Sequence, residues 1–200
     1  MDLVIGMGQD ENYDPLTGVL TIKWAREKLD FLVAHSSQVA LIMIDVDRMK
    51  LLNDTYGHYR GDEELIRIAR EIEKISGANT DALVCRFGGD EFLIVLNEAS
   101  SETAHQIAEK IRASQKPIFI RSDEKEIAAL TLSIGIAHFP THVSTSEGLM
   151  RAADLALIKA KDSGRLPDGT PYIGRNRVMA IGDFLDEFPE QSAKFLNQPE

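Results

Sequence analysis

The sequence predicts an α+β domain, palm-like or ferredoxin-like, with helices arranged around a central, mostly antiparallel sheet. Three observations carry that expectation. Four segments show the apolar stripe of a one-faced helix, strand-length apolar runs lie between them, and two of those runs flank a Gly-Gly turn of the kind that closes a hairpin.

Residues Met1 to Tyr13 are rich in Gly, Asp and Asn without periodicity, and read as a linker or the stump of something longer. Order is expected from Asp14. Ala25, Leu29, Leu32 and Val33 give the first helix, Leu65, Ile68, Ala69 and Ile72 the second, Ala104, Ile107, Ala108 and Ile111 the third. Leu149, Ala152, Ala153, Ala156 and Ala160 give the fourth, with Ser144 and Glu147 at capping-box spacing ahead of it. The strand candidates are Val39 to Ile44, Ala82 to Cys85, Phe92 to Leu96, Ile118 to Ile120, Leu130 to Ala137 and Val178 to Ile181. The first and third are apolar throughout, as strands covered on both faces are, whereas Leu130, Leu132, Ile134 and Ile136 alternate with Thr131, Ser133 and Gly135. Residues 14–182 are expected to form one domain, and the acidic stretch 183–200 a short helix and frayed tail.

Composition narrows the function. With 200 residues and 44% apolar content the chain can bury one substantial core. A formal charge of −10 argues against long nucleic-acid polymers as partners, so a small anionic ligand would need local cations or metals. The single cysteine, Cys85, cannot form an internal disulfide and suits a reducing compartment. No stretch reaches the roughly 18 apolar residues of a membrane span. The start lacks the basic-then-apolar order of a signal peptide, so the expected location is cytoplasmic. No P-loop pattern or Ser-His-Asp order is visible.

Two acidic clusters stand out. Asp45 and Asp47 follow an apolar strand run and, two residues apart, point the same way. That concentration of negative charge calls for a neutralising cation, and hard carboxylate oxygens favour magnesium or manganese. Asp47 could equally start a turn or cap a helix. In the second cluster Gly88-Gly89 joins two strands and places Asp90 and Glu91 on the hairpin tip. Two acidic clusters on separate strands are what a two-metal phosphoryl-transfer site requires.

The run Gly88-Gly89-Asp90-Glu91-Phe92 is the signature of the GGDEF family, the diguanylate cyclases, and the chain resembles that family from Asp14 to Arg165. Asp14-Pro15-Leu16-Thr17-Gly18 is similar to the DPLTG opening of these domains. Residues 45–62, DVDRMKLLNDTYGHYRGD, resemble their DxDxFKxxND...GHxxGD block, and 153–165, ADLALIKAKDSGR, their ADxALYxAKxxGR helix. The resemblance implies the GGDEF fold and the joining of two GTP molecules into cyclic di-GMP with release of pyrophosphate. It implies Asp45, the Val46 carbonyl and Asp90 as ligands of two magnesium or manganese ions per half-site, with Glu91 in support. Asn53 and Asp62 would read the guanine edge. Lys161 and Arg165 would hold the triphosphate, backbone N–H groups near Met49 and Lys50 would add phosphate donors, and Gly88-Gly89 would let the nucleotide approach closely. Outside the family, Lys161 and Arg165 would read as solvated cations at a helix end. Turnover would need a homodimer of half-sites, and a sensory domain or regulator could precede residue 14.

The chain departs from the family pattern in places. Where many members carry a product-binding RxxD, this sequence has Asn79-Thr80-Asp81-Ala82, so that feedback site is absent. Met49 replaces a usual Phe and Ile158 a frequent Tyr, both apolar exchanges. Residues Leu166 to Gly174 are inserted between the first Gly-Arg and Arg175-Asn176-Arg177-Val178, creating a second Gly-Arg in which Arg175 competes with Arg165 for the phosphate role. The insertion could also be a loop on the far edge. Alternative functions are a degenerate GTP-binding module without turnover and a cyclase with another cyclic dinucleotide product. A template-dependent polymerase palm does not fit the acidic charge.

Overall fold

Strand β2 (Val39–Asp47) is the axis of the molecule, with all nine of its residues buried. In the computed structural model, which describes residues 11–78, 81–115, 118–122, 125–162, 164–165, 171–172 and 174–187, it lies between two antiparallel neighbours. These are β4 (Glu91–Asn97) and β6 (Lys125–Phe139). Beyond β4 come β3 (Leu83–Gly88) and, parallel to it, β1 (Leu20–Thr21); beyond β6 comes β5 (Ile118–Ser122), giving the order β1-β3-β4-β2-β6-β5. A short β9 (Val178–Ala180) pairs with β6 in parallel. The sheet is therefore mostly antiparallel and the architecture α+β, as the sequence predicts.

The alternation of side chains along β2 sorts the helices into two layers. Ala40, Ile42, Ile44 and Val46 share one core with α2 (Met49–Tyr56), α3 (His58–Ser76) and α4 (Ser101–Ser114). Val39, Leu41 and Met43 share the other with α1 (Ile22–His35), α5 (Ser146–Lys161) and the start of α6 (Ile181–Glu187). Asp45 and Asp47 continue this second row, so the fold aims both carboxylates at the α5 side.

Four helices and the strand runs fall where periodicity puts them, most with longer bounds, whereas the last strand is shorter, Val178–Ala180, because Ile181 opens α6. Helix α2 is an addition to that reading. Its sequence, MKLLNDTY, is short and carries Asn, Asp and Thr, weak helix formers, and it is held by burial of Met49 and Leu52. The polar row of β6 also differs from expectation: Ser133 is fully buried, because α5 covers that face. The approach is close. A Cβ on Gly135 would lie 2.3 Å from both the Ala153 carbonyl oxygen and the Leu157 nitrogen, and the helix meets the sheet through Ala152, Ala153, Ala156 and Ala160.

Two short strands pair across the region of the insertion. Strand β7 (Gly164–Arg165) pairs antiparallel with β8 (Pro171–Tyr172), and the chain then returns to the end of α5, where the Arg175 N–H donates to the Ala160 carbonyl at 2.7 Å. Residues 1–10 and 188–200, with the expected linker and tail, lie outside the described residues except for α6 and the last of the linker.

Because Gly135 opposes helix backbone, which cannot rotate aside, Gly135→Ala is expected to destabilise the fold by about 3 kcal/mol or more, at the upper end for overpacking. Urea unfolding measures it. A loss below about 1 kcal/mol would mean that α5 lifts off the sheet at little cost.

Candidate active site

The end of β2 gathers polar groups from five elements. Asp45 is paired in register with Glu91 of β4 on one side and Ser133 of β6 on the other, and Asp47 with Thr131. The Val46 N–H donates to the Asp90 carbonyl at 3.1 Å, tying the hairpin tip to the strand. From the last turn of α5, Lys161 Nζ reaches Asp45 Oδ2 at 2.8 Å. Asp45, Val46, Asp90, Glu91 and Lys161, distant in sequence, are thus brought together.

The two aspartates have different surroundings, which corrects the reading of them as a matched pair. Asp47 has no exposed surface and accepts from the Thr131 hydroxyl at 2.7 Å, the Ser133 hydroxyl at 2.9 Å, the Arg175 guanidinium at 2.9 Å and the Asn176 N–H at 3.1 Å. Its oxygens are saturated, and it does not cap α2, whose N-cap is Arg48. It fastens the return of the insertion to the sheet. That contact occupies Arg175, the competitor for the phosphate role; the side chain of Arg165, in β7, lies outside the described residues.

The hairpin between β3 and β4 is braced by a residue the sequence reading passed over. Arg86 donates to the Gly89 carbonyl through Nε at 3.0 Å and Nη2 at 2.7 Å, while Nη1 meets Asp14 Oδ1 at 3.2 Å. Gly89 turns with φ +52°, a left-handed conformation that suits glycine. Asp14 in turn accepts from the Thr17 N–H and hydroxyl. Burial works to raise the Asp14 pKa, yet the bonds from Thr17 and Arg86 outweigh it and hold the carboxyl below the usual range. The only hint in sequence was adjacency, Arg86 standing two residues before Gly88.

Comparison with known proteins gives the family. The diguanylate cyclase GGDEF domain family matches residues 11–166. The chain belongs to the GGDEF family. Over 148 residues it is 40% identical to the diguanylate cyclase DgcM of Escherichia coli, covering 74% of this chain and 32% of DgcM. It is 35% identical to the uncharacterized protein YhcK of Bacillus subtilis, covering 77% of this chain and 44% of that one. The chain therefore spans less than half the length of these relatives. Among solved structures, the GGDEF domain of DgcB from Caulobacter crescentus, in complex with c-di-GMP, superposes with a TM-score of 0.72 at 28% identity, covering 88% of this chain and 98% of that one. The isolated GGDEF domain of YfiN (TpbB) from Pseudomonas aeruginosa gives 0.69 at 32%, covering 88% and 99%.

The other GGDEF-motif positions lie on α2 and α3. Chain direction changes sharply at Arg48, φ +67°, and α2 starts at Met49; the first N–H groups of a helix, here near Met49 and Lys50, have no carbonyl four residues back to bond. Met49 itself is buried and Lys50 exposed. About one turn on, Asn53 packs against Gly61 of α3, where a Cβ would sit 1.9 Å from Asn53 Oδ1. That oxygen is buried without a hydrogen-bond partner. Asp62, the next residue of α3, is exposed.

Burial is the main electrostatic influence on the carboxylates. It raises the Asp45 pKa, aided by Asp90 and Asp47, while Lys161 pulls the other way. Burial also raises that of Glu91, with Asp45, Asp90 and Asp154 adding to it and Lys161 opposing. A carboxylate whose folded pKa lies above its unfolded one opposes folding once ionised, and this penalty fades as pH falls toward the unfolded value. Glu91→Gln is therefore expected to melt higher than the native domain at about pH 8, with the gap closing toward about pH 4, near the ordinary carboxylate pKa. Melting curves across pH check this; a gap independent of pH would assign the effect to packing.

Proposed function

We propose that this GGDEF domain condenses two GTP molecules into cyclic di-GMP, releasing two pyrophosphates. The observation that carries the reading is the convergence of Asp45, Asp90, Glu91 and Lys161 at the end of β2. Three carboxylates meet one ammonium there, a surplus of negative charge that suits a hard divalent cation. Asp45, Asp90 and the Val46 carbonyl offer oxygen ligands of the type magnesium and manganese prefer. When bound, such ions, two per half-site in this proposal, neutralise triphosphate charge and make the attacking hydroxyl more acidic.

The remaining roles belong to the protein. Asn53 and Asp62 recognise the guanine edge, a carboxylate accepting from the ring N–H and exocyclic amine. The unpartnered Asn53 Oδ1 supports this, because a buried orphan acceptor costs about 1–3 kcal/mol that a ligand donor would recover. Lys161 and Arg165 hold the triphosphate, joined by N–H groups at the start of α2. The 3′-hydroxyl of one GTP attacks the α-phosphorus of the other as the bond to pyrophosphate breaks, and its proton passes to Asp90 or a water beside it. Repetition with the roles exchanged closes the ring. Each domain carries one nucleotide, so two domains face each other and the rate rises with protein concentration.

Incubation with GTP and magnesium, followed by chromatography, is expected to yield cyclic di-GMP from the native chain and at least about a hundredfold less from Asp90→Ala. GTP binding without product at high protein concentration would favour the signalling module, and a different cyclic dinucleotide would revise the base-reading roles of Asn53 and Asp62.

Feedback follows from the absent RxxD. Cyclic di-GMP added to the assay is expected to leave the initial rate unchanged at micromolar concentration. Submicromolar inhibition abolished by mutating Asn79 or Asp81 would show that this stretch binds product by other means.

A further inference from the structure

We propose that Lys161 is the built-in counter-ion of the metal-binding carboxylate, and that this makes the divalent cation and the nucleoside triphosphate bind as a unit. The inference rests on the reading above, in which Asp45 is a metal ligand and Lys161 grips the triphosphate. In the structure these two groups hold each other, Nζ to Oδ2 at 2.8 Å, with side-chain exposures of 31% and 9%.

The consequence is thermodynamic. A cation arriving alone must displace the ammonium from Asp45 and leave Lys161 without its anion at the end of α5. A triphosphate arriving alone draws Lys161 away and leaves Asp45 without the one ion-pair partner it has among the described residues, with Asp90 and Glu91 beside it. Arriving together, phosphate replaces carboxylate at Lys161 and the metal replaces ammonium at Asp45, so each exchange removes the penalty of the other. Such coupling is reciprocal and typically worth about 5–150-fold in affinity.

Two further observations favour exchange over a static ion pair. Among the described residues no three acidic, His or Cys side chains already stand at metal-binding spacing, so the oxygens that complete a coordination shell must come from the nucleotide or water. Asp47, two residues away on the same face, shows what a permanent pairing looks like here: no exposed surface and donors from Thr131, Ser133, Arg175 and Asn176. Among the described residues Lys161 is the one side chain that bonds Asp45, and it is reachable from solvent.

Manganese binding to the chain without nucleotide, followed by the loss of the free-ion electron paramagnetic resonance signal, tests this. Lys161→Gln is expected to bind the ion about tenfold more tightly than the native protein, within the range for such coupling. Lys161→Arg keeps the counter-ion and should keep the native weakness, and adding Asp45→Asn to Lys161→Gln should abolish the gain. Manganese should also improve binding of a GTP analogue with a methylene α–β bridge by a smaller factor in Lys161→Gln than in the native chain. Equal manganese affinity in Lys161→Gln and native protein would overturn the proposal, as would a gain that survives loss of Asp45. Circular dichroism melts verify folding, and Lys161→Met, which keeps the stem, serves if the glutamine variant is unstable. A chain with this linkage but no cyclic di-GMP product would sink the catalytic reading alone; a productive chain without it would sink only the counter-ion role.

Discussion

Two carboxylates at the end of a fully covered strand set the terms for much of this structure. Asp45 and Asp47 belong to the row of β2 that faces α5, the first largely and the second wholly withdrawn from the surface. Charges so placed must be compensated by neighbours or they undo the fold. The compensation arrives from one direction: Lys161 is the last residue of α5, and Arg175 follows the insertion that leaves and rejoins that helix end. A helix C-terminus carries partial negative charge, so cations are doubly held there, by the carboxylates in front and the last carbonyls behind.

That arrangement depends on how near α5 can come to the sheet. The small residues Ala152, Ala153, Ala156 and Ala160 on the helix and Gly135 on β6 bring backbone against backbone. Larger side chains at those positions would lift the helix and carry Lys161 away from Asp45. The apolar packing and the charge pairing are therefore one feature seen at two depths of the same interface, and the hydroxyls of Thr131 and Ser133 fill the polar end of it.

Much of this was legible in the sequence because it is written in period. The one-faced helices, the doubly covered β2 and the Gly-Gly hairpin follow from side-chain spacing, and the signature at Gly88 to Phe92 placed the acidic tip. Helix α2 escaped because eight residues give too few turns for a stripe, and its stability is tertiary. The partners of Asp47 escaped for a different reason. Thr131, Ser133, Arg175 and Asn176 lie more than 80 positions away, as the separations of 84 and 128 for Thr131 and Arg175 illustrate, and no local pattern marks them. Arg86 was adjacent to the signature, yet its bond to Gly89 depends on the turn bending back over it.

An Asp-x-Asp pattern therefore does not tell which aspartate is structural and which is available for chemistry, since both share a face and a strand. Partner number does. Asp47 accepts from four residues and its release would strand Arg175 and the hydroxyls of Thr131 and Ser133, so it behaves as part of the scaffold. Asp45 has a single flexible ammonium that can swing to another anion while remaining on α5. Burial raises its pKa, with Asp90 and Asp47 adding to the rise and Lys161 opposing it. A site left short of positive charge in this way favours ligands that bring their own cation, and a metal-bound triphosphate is such a ligand.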